Sequence, residues 1–284
     1  MNVIITKASG EKELFAKNKL RQSLLRAGAT GELADQIVQE IQKDLSEGMS
    51  TKLIYKKAHK LLSKTSLPVA GRYHLKNGIM ELGPSGFPFE VYLSKILAHR
   101  GYEVQVGKIV QGKCVKHEVD VIAEKDEHHF MIECKYHNSP GMVCDVKIPL
   151  YIQARFKDIE TQWMLIPGHG AKFHEGWVVT NTRFTADAIT YGTCAGLKLV
   201  SLDFPRKGSL REMIEETGLY PLTCLTQLTL QEKKILLQKK IVLCREICHH
   251  PQHLYGMNIP EVRIKDIIRE GNQLCHKLIQ YDRH

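Results

Sequence analysis

The spacing of apolar positions changes character several times along this 284-residue chain. Residues 2–6, NVIIT, read as a short strand, Ser9-Gly10 marks a turn, and Leu14-Phe15 opens a second short element. Leu20, Leu24 and Leu25 then line one face of a helix over 17–27, which Gly28 stops. Leu33, Ile37 and Ile41 do the same over 32–45, and Gly48 ends that segment. Ser50 or Thr51 can cap a third helix over 52–63, and a fourth is expected from about Pro68 to Met80.

The segment ELGPSGFPF, 81–89, holds two glycines and two prolines, and a domain boundary is placed there. Beyond it, PFEVYLSKILAHRG forms a helix with Phe89, Leu93 and Leu97 inward, and YEVQVGKIV forms a strand. VKHEVDVIAEKDEHHFMIECKY reads as two strands around a polar turn. A helix over 146–159, the strand GWVVTN, the helix FTADAITYGTCAG and the strand LKLVSLD follow. From Gly208 on, SLREMIEETG, LTLQEKKILLQKKIVLCREICHH and IPEVRIKDIIREGNQLCHKLI all have helical periodicity. The expectation is a mixed α/β protein in three parts. These are a hairpin with helices over 1–82, a mixed sheet flanked by helices over 83–207, and a helical region over 208–284.

Composition is that of a globular chain, 43% hydrophobic and 25% charged, and no apolar run approaches the roughly eighteen residues of a membrane span. MNVIITKASGEKELF has no basic stretch leading into an apolar one, so no signal peptide is read and a cytoplasmic protein is expected. The net charge of +9 suits a nucleic-acid or phosphate partner but is equally that of a well-solvated surface. Eight scattered cysteines read as reduced thiols. Cys244, Cys248, His249, His250, Cys275 and His276 have the residue types of a zinc site, but their apolar helical setting favours packed side chains.

The chemistry concentrates in HHFMIECKYHN, 128–138. Glu133 and Lys135 stand two apart in an apolar strand and point to one face. With the turn centred on Asp126-Glu127, Asp120 lies opposite Glu133. Two carboxylates and a lysine then share a face. A hard divalent cation relieves the repulsion between the carboxylates, and the set suits phosphodiester hydrolysis. An exposed salt bridge is the plainer alternative, but charges among VDVIA and FMI are rarely placed there without a task.

On these residues, 86–204 resembles the PD-(D/E)xK nucleases, and among them the Mrr-like type IV restriction endonucleases. The order of GFPFEVYLSKILAHRGYEV, HEVDVIA, FMIECKY, VKIPLYIQARF and WVVTNTRFTADAITYGTCAGLKLVSLD carries the resemblance. It implies Asp120, Glu133 and Glu90 as metal ligands, Lys135 as the catalytic lysine, Gln153 as a polar residue of the site, and Mg2+ or Mn2+ as the ion. GKCVKHEVD replaces the family's glycine-rich approach to the Asp. It adds His117, read as a structural or substrate-contacting group, and Glu118, a competing ligand by parity. Thr180, Asn181 and Arg183 would contact a nucleic-acid backbone or cap their loop.

In the first part, Lys7, Lys12, Lys17 and Lys19 surround a tight hairpin. VIITKASGEKELFAKNKLRQSLLRAG, the helices after it and LPVAGRYHL resemble an ATP-cone, a small nucleotide-sensing domain. The resemblance implies ATP or dATP held by Lys7, Glu13, Lys19 and Thr51. Lys7-Ala8-Ser9-Gly10 departs from the family's Lys-Arg-x-Gly and lacks its arginine. The two resemblances together imply a Mg2+-dependent endonuclease, with DNA as the expected nucleic acid, regulated by an adenine nucleotide. No membrane partner is expected, and a homo-oligomer is among the expectations. A non-cleaving, nucleotide-responsive DNA-binding regulator on the same fold is the alternative, and an assembly module using the helical region is a third reading.

Overall fold

The computed structural model describes residues 3–167 and 173–276. The described residues up to Glu81, together with those from Gly218 on, form one compact unit, and Leu82–Thr217 forms another.

In the first unit, β1 (Ile4–Thr6) and β2 (Lys12–Leu14) pair antiparallel with Ile5 opposite Glu13. The turn between them uses Gly10 at φ +84, where a side chain would be strained. Helices α1 (Lys17–Arg26), α2 (Gly31–Lys43) and α3 (Thr51–Thr65) follow. The Thr30 and Ser50 hydroxyls accept the Leu33 and Leu53 N–H groups as N-caps of α2 and α3. The apolar stripes read in the sequence meet here, since Leu20, Leu24, Ile37, Ile41, Ile54 and Leu62 share one core with Ile5. The expected fourth helix is two, α4 (Leu67–Tyr73) and α5 (Leu75–Met80), divided at His74. His74 lends its ring to a polar chain. Its Nδ1 meets the Tyr55 hydroxyl and its Nε2 lies 3.0 Å from Glu81, which pairs at 3.1 Å with Lys233.

The second unit opens with α6 (Phe87–His99). Five strands follow in the spatial order β3 (Glu103–Gln111), β4 (Lys116–Lys125), β5 (His128–Lys135), β7 (Phe173–Thr180), β9 (Lys198–Val200). The first three are antiparallel neighbours, and the last two pairings are parallel. Helix α7 (Lys147–Trp163) lies between β5 and β7, and α8 (Ala186–Cys194) between β7 and β9, as parallel pairings require. Two short strands that no sequence pattern announced, β6 (Val143–Cys144) and β8 (Arg183–Phe184), pair in parallel beside this sheet. Ile152, Phe156, Ile159 and Trp163 of α7 pack on Val119, Met131 and Val178 of the sheet. The last helix of this unit is α9 (Leu210–Thr217).

The segment from Gly218 does not stand as a separate region. It comprises a short 3-10 turn at Leu222–Cys224, then α10 (Leu230–Gln238), α11 (Cys244–His249), α12 (Gln252–Tyr255) and α13 (Glu261–Cys275). Arg72 of α4 donates to the Gln273, Leu274 and His276 carbonyls, and Thr223 Oγ1 donates to the Gly78 carbonyl at 2.6 Å. Gly78 has no room for a side chain, because a Cβ there would lie 2.7 Å from Cys224 Sγ. The long helix expected over LTLQEKKILLQKKIVLCREICHH breaks at Lys240, whose φ is +61, and Leu243 is extended before α11. The helical reading of HKLI runs past His276, outside the described residues. Among those described, no helix is long and apolar enough to cross a membrane.

Candidate active site

The β4–β5 hairpin carries the candidate residues. Asp126 and Glu127 adopt φ +49 and +61, the turn that suits two-residue hairpins. The ladder runs from Lys125↔His128 to Val121↔Ile132, the register that sets Asp120 across from Glu133. At Asp120 the pairing to both neighbouring strands is interrupted, and that to β3 resumes at Val119. The β3–β4 pairs skip Gly107 and Asp120, Gly107 has φ +62, and the β4–β5 ladder stops one residue earlier. The freed Asp120 side chain accepts the Cys134 N–H at 2.7 Å through Oδ2. The carboxylate therefore sits where the hairpin opens.

Burial and then Asp120 push the Glu133 carboxyl up to about 7, against the pull of Arg155 and Lys135. Burial also raises Asp120, offset by the Cys134 N–H and by the Arg155 and Lys135 charges. Glu90, in the first turn of α6, is pushed up to about 7 by burial and then by Asp120, Glu118 and Glu133. Asp120, Glu118 and Glu133 thus repel the Glu90 carboxylate, Asp120 repels that of Glu133, and Lys135 attracts those of Asp120 and Glu133. On α7, Gln153 turns a buried Oε1 that has no hydrogen-bond partner. Hard carboxylate and amide oxygens are the donors a Mg2+-type ion takes, so the chemistry of the set fits. Among the described residues, however, no three His, Cys, Asp or Glu side chains stand together in a metal-holding arrangement. Arg155 Nη1 donates to Glu133 Oε2 at 2.6 Å.

Raised carboxyls leave a signature in stability. A group whose folded pKa lies above its unfolded value binds more protons when folded, so stability falls as pH rises between the two. For Glu90 that window runs from its ordinary 4.5 to about 7. Glu90→Gln is therefore expected to melt about 2–4 °C higher than wild type near pH 8 in EDTA, after discounting for its partial exposure. The difference should vanish by about pH 4.5, and differential scanning calorimetry across that range checks it.

Around the cluster, His117 is structural. Its Nε2 pairs with Asp158 at 2.7 Å, and Asp158 also accepts the Cys114 and Val115 N–H groups, so α7 pins the β3–β4 loop. Thr180 and Asn181 hold the ends of the strands. Thr180 Oγ1 donates to the Lys135 carbonyl at 2.7 Å, and the Asn181 amide brackets the His137 main chain with two 2.8 Å bonds. Both are buried, which fits the loop-capping role, whereas Arg183 is exposed.

In the first unit, Lys7 pairs with Glu13 at 2.9 Å and with Glu11 at 3.1 Å, and Lys19 meets Glu13 at 3.4 Å. Thr51 is the first residue of α3, and the neighbouring Ser50 bridges to Thr6, next to Lys7. Sequence reasoning named these four but missed the pairing of Lys7 with Glu11. It also missed Arg155, which it had no means of separating from a solvated helix charge. Cys244 is fully buried and donates to the Pro221 carbonyl, a packed thiol.

Comparison with known proteins agrees with the second unit's topology. Residues 77–179 match the PD-(D/E)XK nuclease superfamily domain, and residues 220–275 match the AF1548-like, C-terminal domain. A protein of Archaeoglobus fulgidus, described as uncharacterized, is 33% identical over 183 residues, which span 64% of this chain and 99% of its own length. A crystal structure described as that of a protein of unknown function, AF1548, is 31% identical, covers 67% of this chain and 98% of its own, and superposes with a TM-score of 0.55. Both domain matches begin at residue 77 or later, so the likeness of the first eighty residues to an ATP-cone rests on those residues alone. The helical region after Gly208 carries a recognised domain rather than an unassigned tail. The chain belongs to the AF1548-like family, with a PD-(D/E)XK nuclease superfamily domain preceding the AF1548-like C-terminal domain.

Proposed function

We propose that this protein is a metal-dependent endonuclease acting on nucleic acid, with DNA as its substrate, and that an adenine nucleotide at the N-terminal hairpin regulates it. The observation that carries the reading is the hairpin register that sets Asp120 across from Glu133, with Lys135 two residues further along the strand, inside a PD-(D/E)XK domain. Asp120, Glu133 and Glu90 would hold Mg2+ or Mn2+. Bound there, the ion would supply an acidified water and neutralise charge on the phosphoryl oxygens. Lys135 orients the attacking water and offers its ammonium to the pentavalent phosphorus centre. Gln153 Oε1 accepts a hydrogen bond from that water or from one beside it. The test is cleavage of plasmid, linear and single-stranded DNA and of RNA with Mg2+, Mn2+ or EDTA, each with and without ATP and dATP.

At the hairpin, Lys7 and Lys19 share Glu13, and Lys7 follows Thr6, which bridges to the α3 N-cap Ser50, an arrangement that suits a polyphosphate held by point charges and a helix N-terminus. Lys7→Ala is expected to weaken ATP or dATP binding about tenfold or more, the loss of one charge-assisted contact. The exposed Lys56→Ala should leave it unchanged. Fluorescent-nucleotide titration measures both, and equal affinities would remove the nucleotide from the reading. The ion pair between Arg155 and Glu133 favours the second reading, a regulator that binds nucleic acid without cutting it. Binding without cleavage under every metal condition would establish that reading.

A further inference from the structure

Arg155 holds a position that a solvated helix charge would not take. It lies on α7 two residues beyond Gln153, and its side chain is only 11% exposed. Nη1 donates to Glu133 Oε2 at 2.6 Å, and Nη2 donates to the main-chain carbonyl of Glu118. One guanidinium thus ties the β5 glutamate to the β4 backbone just before Asp120. The guanidinium carbon also lies 5.5 Å from the centre of the Tyr151 ring, one turn back on the same helix, and Tyr151 is 62% exposed. Arg155 therefore has two supports, an acidic one inside the cluster and an aromatic one facing outward.

A guanidinium is charged at every working pH and neutralises a carboxylate much as a metal ion does. On one carboxylate the two positive charges oppose each other, and Nη1, 2.6 Å from Glu133 Oε2, takes up a lone pair that an ion could use. We propose that Arg155 competes with the divalent ion for Glu133, so that metal binding requires the guanidinium to leave the carboxylate, and that Arg155 thereby sets the metal affinity of the site. This rests on the metal-dependent reading of the Asp120–Glu133–Glu90 cluster. The exposed face of Tyr151 gives the released guanidinium somewhere to rest, so exchange needs a side-chain rotation and leaves α7 in place.

The test is Mn2+ titration of the full chain, read by electron paramagnetic resonance of the free ion, for wild type, Arg155→Ala, Arg155→Lys and Asp120→Asn. Arg155→Ala is expected to bind Mn2+ about tenfold tighter than wild type, a coupling of ordinary size for two ligands excluding each other. Arg155→Lys, which keeps the charge but loses the two-pronged grip, should fall between them. Asp120→Asn should bind most weakly. Equal or weaker binding by Arg155→Ala, with wild type still binding through Asp120, overturns the competition and leaves the metal site standing. Absence of Mn2+ binding in every protein overturns both. Should Arg155→Ala lose its circular dichroism, wild type labelled with 15N-arginine and titrated with Mg2+ gives the answer. Loss of the protected Arg155 Nη signal at saturation supports the exchange, and its persistence overturns it.

Discussion

Lys135→Ala is expected to cut nucleic acid about a hundred- to a thousandfold more slowly than wild type, the usual cost of removing one preorganised donor from a phosphoryl or acyl transition state. It should melt within about 2 °C of wild type, as surface-connected side chains usually do when removed. Lys135 ends β5, and what the fold asks of it is its main chain, since its carbonyl accepts the Thr180 hydroxyl and it pairs with Thr180 across the parallel ladder. An alanine keeps both. What the side chain contributes is charge, which pulls down the Asp120 and Glu133 carboxyls. Removing that charge makes the acid cluster more negative and leaves metal binding near pH 8 no weaker. The expected pattern is therefore loss of turnover with metal affinity retained, whereas Asp120→Asn should lose both. Plasmid nicking beside Mn2+ titration reads the two together. Wild-type cleavage by Lys135→Ala would remove Lys135 from the chemistry.

Much of this site was legible because its information is local. A turn at Asp126-Glu127 and the two-residue period of strands fix which residues face each other, and the structure has that register. The order of helix, hairpin, helix and parallel strands was equally local, each step marked by its own periodicity. Elements without a periodic signal were hidden. The two-residue strands β6 and β8 pair only because distant segments meet. The chain breaks at His74 and Lys240 carry neither glycine nor proline, and the apolar spacing runs straight through them. Arg155 and Glu270 were invisible for another reason. Each is a charged residue on an amphipathic helix, and its partner, 22 residues away in Glu133 and about 44 residues away in Thr226, is decided by packing.

Glu270→Ala should accordingly be the most damaging single change to the first unit, lowering its stability by roughly 3–5 kcal/mol. Glu270 lies on the inner side of α13 and is 1% exposed. Its Oε1 accepts the Thr226 N–H at 2.7 Å and the Thr226 hydroxyl at 2.6 Å, and its Oε2 accepts the Gln227 N–H at 3.0 Å. One buried carboxylate thus satisfies two main-chain donors in the turn that leads into α10. Nearby, Arg263 fixes the same turn by donating to the Gln227 carbonyl and pairing with Glu232. Burial raises the Glu270 carboxyl, and the three donors pull it back. An alanine strands those donors away from water, at about 1–3 kcal/mol for each buried group left unpaired. It also leaves a space where the side chain packed. Glu270→Gln keeps a carbonyl oxygen for Thr226 but turns an NH2 toward the Gln227 N–H, so it should lose only part of that stability. Calorimetry should show the Glu270→Ala transition about 6–15 °C lower. A drop no larger than that of an exposed control such as Glu261→Ala would mean that the turn at 226–227 is held by Arg263 and its own backbone, and that α13 docks through its leucine and isoleucine face alone.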